Sequence, residues 1–407
     1  MKIMIFVCGE GLGHTSRCIS LGRELKAAGH DVHFGAYGYS KELIEKKGYT
    51  AHKIPSEVTL VGKAGTLNLR KSVFATFKRG QFLGLLKLAR ILRRIMPDVV
   101  ISDSYYMGVL SAKARKIPCY LVLNQSNMEQ FFVQKGISGR IVGDIIRRFY
   151  TEVFRMADGI LIPDFPMPHT ICRKNLDFTE DIWKKVLYTG PLIGKKYGEV
   201  ERLDLKRPHV ISTLGGFGYR EPIFRKVIQA AQLDSKIQYT LLSGPFINLD
   251  SFKPLPENVR MLELIEDQFP FLASCDIIIA PGGHSTMMEA MSFGIPMLSV
   301  PDINHSEQHN NAFAIDEDSL GKMIEYSASA KDILAEIQEL LCDNKYRKNV
   351  LKLRKLAEKY DGTTFILKML ESKHSVRRGK EINAKDYFVL SRLRGKTPAK
   401  RMQKKRS

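Results

Sequence analysis

The sequence has no Cys-x-x-Cys pair. Its six cysteines (Cys8, Cys18, Cys119, Cys172, Cys275 and Cys342) are scattered over 407 residues. That argues against a zinc ribbon, a thiol redox centre or a disulfide scaffold. No apolar run reaches the ~20 residues that a bilayer-spanning helix needs. The N-terminus, MKIMIFVCGEG, is apolar only briefly and shows no secretory cleavage pattern. It reads as the buried first strand of a cytoplasmic protein. Zinc-finger and RNP-type nucleic-acid modules are missing as well. Acids are in short supply, with 43 Asp+Glu against 63 Lys+Arg and a formal net charge of +20. That surplus points to an anionic partner: nucleic acid, an anionic membrane or a phosphorylated substrate. It is unevenly spread. From Ser372 onward, thirteen Lys/Arg and two acids (Glu381, Asp386) carry +11 of it.

What remains is an ordinary globular composition, 44% hydrophobic and 26% charged, which excludes a mostly disordered chain. The length suggests two domains. In the first half, short apolar runs alternate with helical periodicity: Lys2–Cys8, a helix from about Ser16 to Ala28, Asp31–Gly35, a helix over Lys41–Lys47, then Asp98–Ser102, Cys119–Leu123 and Gly159–Ile162. That alternation predicts βαβ units and a parallel sheet. A polar stretch at 194–208 reads as a linker, and the pattern restarts with His209–Leu214, a helix over Pro222–Gln232, Gln238–Ser243, Val259–Leu262, Asp276–Ala280 and Met297–Val300. Helical periodicity returns over Lys331–Cys342, Lys345–Lys359 and Thr363–Ser372. The class is α/β, with two Rossmann-like units: 1–193, and 209–355 followed by a helix over 356–372. The basic tail, 373–407, reads as partly disordered.

Three stretches carry candidate chemistry. Cys8–Arg17 reads CGEGLGHTSR, a strand–turn–helix whose Gly9, Gly11 and Gly13 allow close backbone approach of a ligand. Its G-x-G-x-G-H spacing departs from the dinucleotide fingerprint, and no acid ends the second strand, so NAD or FAD is not expected. His14 is either a helix-start surface residue or a general base at the crevice end of the strand. Asp103, after DVVIS, is either a turn or capping residue or the carboxylate that orients His14. The third stretch, Ala280–Glu289 (APGGHSTMME), opens a helix after a strand. Gly282 and Gly283 free the backbone there. His284, Ser285 and Thr286 lie at the helix start, where amides and hydroxyls suit a pyrophosphate. Glu289 is placed to accept ribose hydroxyls. A plain capping box is the other reading of S-T-x-x-E.

The longer string GGHSTMMEAMSFGIPMLSVPDINHSEQHNNA (282–312) resembles the donor-binding signature of the UDP-glycosyltransferases and of glycosyltransferase family 28. The latter includes the enzyme that adds GlcNAc to lipid-linked MurNAc-pentapeptide. The matching positions are Ser285, Thr286, Glu289, Ala290, Gly294, Pro296, Pro301, Gln308, Asn311 and Ala312. Flanking segments extend the resemblance. Ile265 lies where a family backbone pairs with uracil. Gly216 and Phe217, in GGFG, resemble the second domain's glycine loop, and GEGLGH and DVVISDS resemble the first domain's loop and its Asp-bearing strand. Departures are Ala280, where plant-type members carry a His, and Glu307, where the family has Asp or Gln.

The resemblance implies a GT-B fold: two Rossmann-like domains facing a cleft, with the last helix crossing back to the first domain. It implies a donor UDP-sugar held mainly by the second domain (Gly216, Phe217, Ile265, Gly282, Gly283, His284, Ser285, Thr286, Glu289, Glu307, Gln308) with Gly13 of the first, no cofactor and no metal. It also implies His14 as base, aided by Asp103, in an inverting transfer. Asp316–Asp318 reads as a solvated start to a helix over Ser319–Ser327 rather than as a metal–nucleotide D-x-D. Arg70–Met96 lacks acids and is basic and apolar. It is either a core helix with a basic outer face or an interfacial segment. The expectation drawn from it is a peripheral enzyme on the cytoplasmic face of the membrane, with an anionic lipid surface and a lipid-linked acceptor as partners. Nucleic acid would bind only through the tail. The competing classes are a non-hydrolysing nucleotide-sugar epimerase, a basic nucleic-acid binder and a silent UDP-sugar binder.

Overall fold

The computed structural model describes residues 1–9, 11–56, 62–63, 66–67, 81–128, 130, 136–213, 220–244, 247–263 and 265–377. In chain order the first half contains β1 (Lys2–Val7), α1 (Leu12–Ala27), β2 (Asp31–Ala36), α2 (Gly38–Lys46) and β3 (Thr50–Lys53). A two-residue ladder, β4 (Gly62–Lys63) with β5 (Thr66–Leu67), comes next. Then follow α3 (Gln81–Ile95), β6 (Val99–Asp103), α4 (Tyr106–Ala114), β7 (Cys119–Val122), α5 (Gly136–Met156), β8 (Gly159–Ile162), α6 (Glu180–Trp183) and β9 (Val186–Tyr188). The second half contains β10 (His209–Thr213), α7 (Glu221–Leu233), β11 (Gln238–Leu242), β12 (Val259–Leu262), α8 (Phe269–Ser274), β13 (Ile277–Ala280), α9 (His284–Phe293), β14 (Met297–Ser299), α10 (Ser306–Glu317) and β15 (Gly321–Met323), then α11 (Ala330–Cys342), α12 (Asn344–Ala357) and α13 (Gly362–Arg377).

The strands form two parallel sheets, ordered β3-β2-β1-β6-β7-β8-β9 and β12-β11-β10-β13-β14-β15. Each is covered on both faces, which is why its inner strands read as unbroken apolar runs. Along β1, Met4 and Phe6 join the core under α3, α4 and α5, whereas Ile3, Ile5 and Val7 join the core under α1 and α13. Phe365, Ile366, Met369 and Leu370 of α13 belong to that second core, so the last helix crosses back onto the first domain. The fold is α/β, with two Rossmann-like domains of GT-B type.

In each sheet the chain first runs outward on one side and then returns to the other. The reversal falls between β1 and β6 in the first sheet and between β10 and β13 in the second. Ligands bind open α/β sheets at such switch points, beyond the carboxyl ends of the strands. The register pairs Val7 with Asp103 and Ser212 with Ile279, which brings the loops after those strands to the crevice.

Three local expectations change. The first helix begins at Leu12 instead of Ser16, so Gly13 and His14 occupy its first turn. The acidic stretch Asp316–Asp318 ends a helix, and β15 follows where a helix over Ser319–Ser327 was expected. Acids at a helix C-terminus oppose its dipole. Here Arg173 offsets that by pairing with Glu317 at 2.9 Å and with Asp318 at 2.8 Å. In the basic segment, residues 70–80 lie outside the described residues. From Gln81 it forms α3, with Leu88 and Leu92 buried and Lys87, Arg90, Arg93 and Arg94 exposed, a core helix with a basic outer face. No helix among the described residues is long and apolar enough to cross a membrane.

Candidate active site

A cavity of about 1070 Å³ lies between the two domains. Ligand pockets span roughly 300–1,000 Å³, so this one has room for a nucleotide-sugar and part of a second substrate. Gly13, His14, Arg17 and Asn124 line it from the first domain, and Ile265, Ser285, Thr286, Glu289 and Glu307 from the second.

His14 and Asp103 meet, although 89 residues separate them. His14 Nδ1 lies 2.7 Å from Asp103 Oδ1. Around Nδ1, Asp103 Oδ1 at 2.7 Å can only accept and Arg17 Nη2 at 3.0 Å can only donate; the shorter contact to the carboxylate favours the proton on Nδ1, which leaves the Nε2 lone pair to act as base. The His14 side chain is 23% exposed, whereas that of Asp103 is fully buried. Burial alone would raise the Asp103 pKa. The Arg17 guanidinium and His14 outweigh it and hold the carboxyl well below the usual range. Arg17 Nε donates to Oδ2 and Nη2 to Oδ1, both at 2.5 Å. The group is therefore a triad, in which the buried Arg17 cation shares Asp103 Oδ1 with His14 and lies 3.0 Å from the His14 Nδ1.

Across the cavity, α9 starts at Gly283 with no side-chain cap and no acid in its first turn. Its amides are open to an anion, as the phosphate reading requires, and the capping-box reading is not realised. The first domain comes close here: a Cβ on Gly13 would lie 2.8 Å from Ser285 Oγ. Gly282 adopts φ +89, and a Cβ there would lie 2.9 Å from the Gln308 carbonyl oxygen. The His284 ring is buried and turned to Asp164 of the first domain, with Nε2 to Oδ2 at 3.0 Å. Gln308 braces its own loop, accepting from the Asp302 amide and donating to Asp302 Oδ2. Glu307 Oε1 accepts from Asn124 Nδ2 at 2.8 Å. Gly216 and Phe217 lie outside the described residues. Asp164, Cys172 and His284 bring their ligand atoms within 4.8 Å of one another. Burial pushes the Cys172 thiol well up, opposing the thiolate a metal would need, and Asp164 already accepts from the Phe165 and Cys172 amides.

Glu289 is buried and accepts from Gln268 Nε2 at 2.8 Å. Burial pushes its pKa up to about 8, and Gln268 offsets only part of that. An unfolded chain ionises this carboxyl near 4.5. Between those values the unfolded state loses the proton first, so stability falls as pH rises across the window. Glu289→Gln is expected to flatten that slope, read as urea midpoints at pH 5 and pH 8. Equal slopes in the two proteins would refute the assignment.

Sequence reading missed Arg17, Asn124 and Asp164. The signal for Arg17 was its i,i+3 spacing from His14 on one helix face. Asn124 follows β7 at the crevice edge, where a polar NQSN run was available to read.

Residues 225–370 match the model of the glycosyltransferase family 28 C-terminal domain, and residues 1–155 match that of glycosyl transferase family 1. An uncharacterized glycosyltransferase of Methanosarcina mazei is 55% identical over 371 residues, covering 91% of this chain and 98% of that one. The UDP-N-acetylglucosamine--N-acetylmuramyl-(pentapeptide) pyrophosphoryl-undecaprenol N-acetylglucosamine transferase 1 of Bacillus cereus is 24% identical over 385 residues, covering 89% and 95%. Among solved structures, the spinosyn rhamnosyltransferase SpnG complexed with thymidine diphosphate aligns at TM-score 0.67 and 16% identity, over 91% of this chain and all of that one. The glycosyltransferase SnogD from Streptomyces nogalater aligns at TM-score 0.62 and 21% identity, covering 91% and 98%. With this fold, this crevice and these relatives, the chain belongs to the GT-B glycosyltransferases related to family 28.

Proposed function

We propose that this glycosyltransferase moves a hexose from a UDP-sugar to an acceptor hydroxyl with inversion. The observation that carries the reading is one cavity with a His–Asp pair on one wall and an open helix N-terminus on the other. The diphosphate sits at the start of α9, among the Ser285 and Thr286 amides. The ribose faces Glu289, and the uracil faces the backbone at Ile265. His14 Nε2 takes the acceptor proton, the acceptor oxygen bonds to the anomeric carbon, and the bond from that carbon to the diphosphate oxygen breaks. The departing UDP gains negative charge, and the helix amides are fixed where that charge develops. UDP is preferred as donor nucleotide because the Bacillus cereus relative is named for UDP-N-acetylglucosamine. The thymidine diphosphate in the rhamnosyltransferase structure makes dTDP-sugars the necessary comparison. The test is a thermal-shift screen of UDP-, dTDP- and GDP-sugars. Ligand at a hundred times Kd contributes about 2.7 kcal/mol, a rise of a few degrees in melting temperature. No shift with any of the three would sink the reading.

The acceptor is lipid or lipid-linked and is met at an anionic membrane surface. Exposed Ile145 and Phe149 on α5 stand beside exposed Arg147 and Arg148. Exposed Leu86 on α3 stands among Lys87, Arg90, Arg93 and Arg94, and both helices pack against α4 on one side of the sheet. Apolar tips ringed by cations suit an anionic interface. The protein is expected to float with anionic vesicles at low salt and to be released at high salt. Absence of flotation at low salt removes this part.

A further inference from the structure

A continuous line of side chains crosses the cleft from the base to the donor wall. It starts at the His14–Asp103 pair and passes through Arg17, whose side chain is 3% exposed. Arg17 Nη1 donates to Asn124 Oδ1 at 3.1 Å. Asn124 Nδ2 donates to Glu307 Oε1 at 2.8 Å. Asn124 belongs to the loop after β7 in the first domain, and Glu307 to the first turn of α10 in the second. Among the other cross-domain contacts, His284 meets Asp164, and Asn175 to Asn311 and Arg173 to Glu317 and Asp318 cluster between α10 and Ile171–Asn175. The Asn124–Glu307 bond joins two residues that both line the cavity.

The amide at 124 has one tolerable orientation. Its oxygen faces a guanidinium, which only donates, and its nitrogen faces a carboxylate, which only accepts. Flipping the amide would create two repulsive contacts at once. An acceptor at one end and a donor at the other are what this gap needs, and neither Asp nor Leu supplies both. Asn124 (4% exposed) is therefore held in a single pose by Arg17 and in turn fixes one oxygen of Glu307. The Glu307 carboxylate lines the cavity.

We propose that Asn124, oriented by Arg17, is a positioning residue for the donor sugar. It is supplied by the acceptor domain and aims the Glu307 carboxylate at a sugar hydroxyl. This rests on the reading that Glu307 faces the sugar of a nucleotide-sugar. Because Asn124 and Glu307 come from different domains, the sugar contact is complete only when the cleft is closed. The same Arg17 that orients Asn124 also holds Asp103, so sugar recognition and alignment of the base share one cation.

The test is a double-mutant cycle with Asn124→Asp, Glu307→Gln and the pair together, with Asn124→Ala as a second probe. Asp at 124 keeps the Arg17 contact and the volume but sets a carboxylate against Glu307. It is expected to raise KM for the full nucleotide-sugar about ten- to a hundredfold, the worth of a hydrogen bond to a charged group. Affinity for UDP alone should change less than about threefold. The pair restores a donor facing an acceptor, since a Gln amide can donate to Asp, and should recover most of the loss. Urea midpoints of the four ligand-free proteins read the same coupling without activity. No coupling in those midpoints overturns the proposal. So does a pair no better than the sum of the singles, or an equal loss for UDP and the UDP-sugar. If the wild type turns over no nucleotide-sugar while the midpoints still couple, the functional reading has failed, and the sugar role of Asn124 is overturned with it, although the Asn124–Glu307 bond stands.

Discussion

His14→Ala is expected to lower kcat/KM for glycosyl transfer by about 10²–10⁴-fold, the usual contribution of a positioned general base. Donor-nucleotide affinity should stay within error, because the proposed diphosphate site is formed by α9 amides in the other domain. The triad makes this variant unusually clean. In an isolated dyad, removing the histidine strands a buried carboxylate and destabilises the fold. Here Arg17 still meets both oxygens of Asp103, and His14 is partly exposed, so the melting temperature should barely move. Loss of rate with unchanged stability and unchanged UDP binding places the defect in proton transfer. Rate retained within a few fold would remove His14 from the mechanism. Asp103→Asn is a poorer test of the same step, since it leaves the Arg17 cation buried without its counter-charge.

The residues of that dyad were legible for a physical reason. In a parallel sheet every strand presents its carboxyl end at one edge, so a His after the first strand and an Asp ending a later one share that edge whatever loops intervene. The glycines of GEGLGH pointed to close approach, and Gly13 does abut Ser285. That same glycine hid the true helix start: Gly lowers helix propensity, yet the position needs it because the facing helix leaves no space for a Cβ. The short strands β3 (TAHK) and β15 (GKM) escaped notice because each lies at a sheet edge with one neighbour, so neither carries a continuous apolar run. The Arg17–Asn124–Glu307 line was out of reach for another reason. Asn124 and Glu307 stand 183 residues apart in different domains, and nothing local to either codes for the other. Asp316–Asp318 misled because acids favour a helix start, and the Arg173 that lets them end one lies far back in the chain.

Arg17→Met should destabilise the protein by about 3–5 kcal/mol near neutral pH, the range for breaking a buried ion pair by removing one partner. The sign of the pH dependence makes the claim specific. In the native protein the Asp103 carboxyl is held below its unfolded value near 3.9. Its contribution to stability is present above that value and is lost as the pH falls through the folded one, so stability rises with pH on the acid side. Without the guanidinium, burial, the largest single influence on Asp103, raises the pKa with His14 left to oppose it. The gain in stability that the wild type shows on the acid side is then reduced, and the deficit of the variant should be larger at pH 7 than at pH 4. Urea midpoints of both proteins at the two pH values decide it. Adding Asp103→Leu to Arg17→Met replaces the pair with apolar groups of similar bulk. That double variant should regain most of the stability while remaining inactive, because His14 has lost the acceptor that sets its tautomer. A deficit that does not grow with pH, or a double variant no more stable than the single, would mean that Arg17 contributes through packing rather than charge.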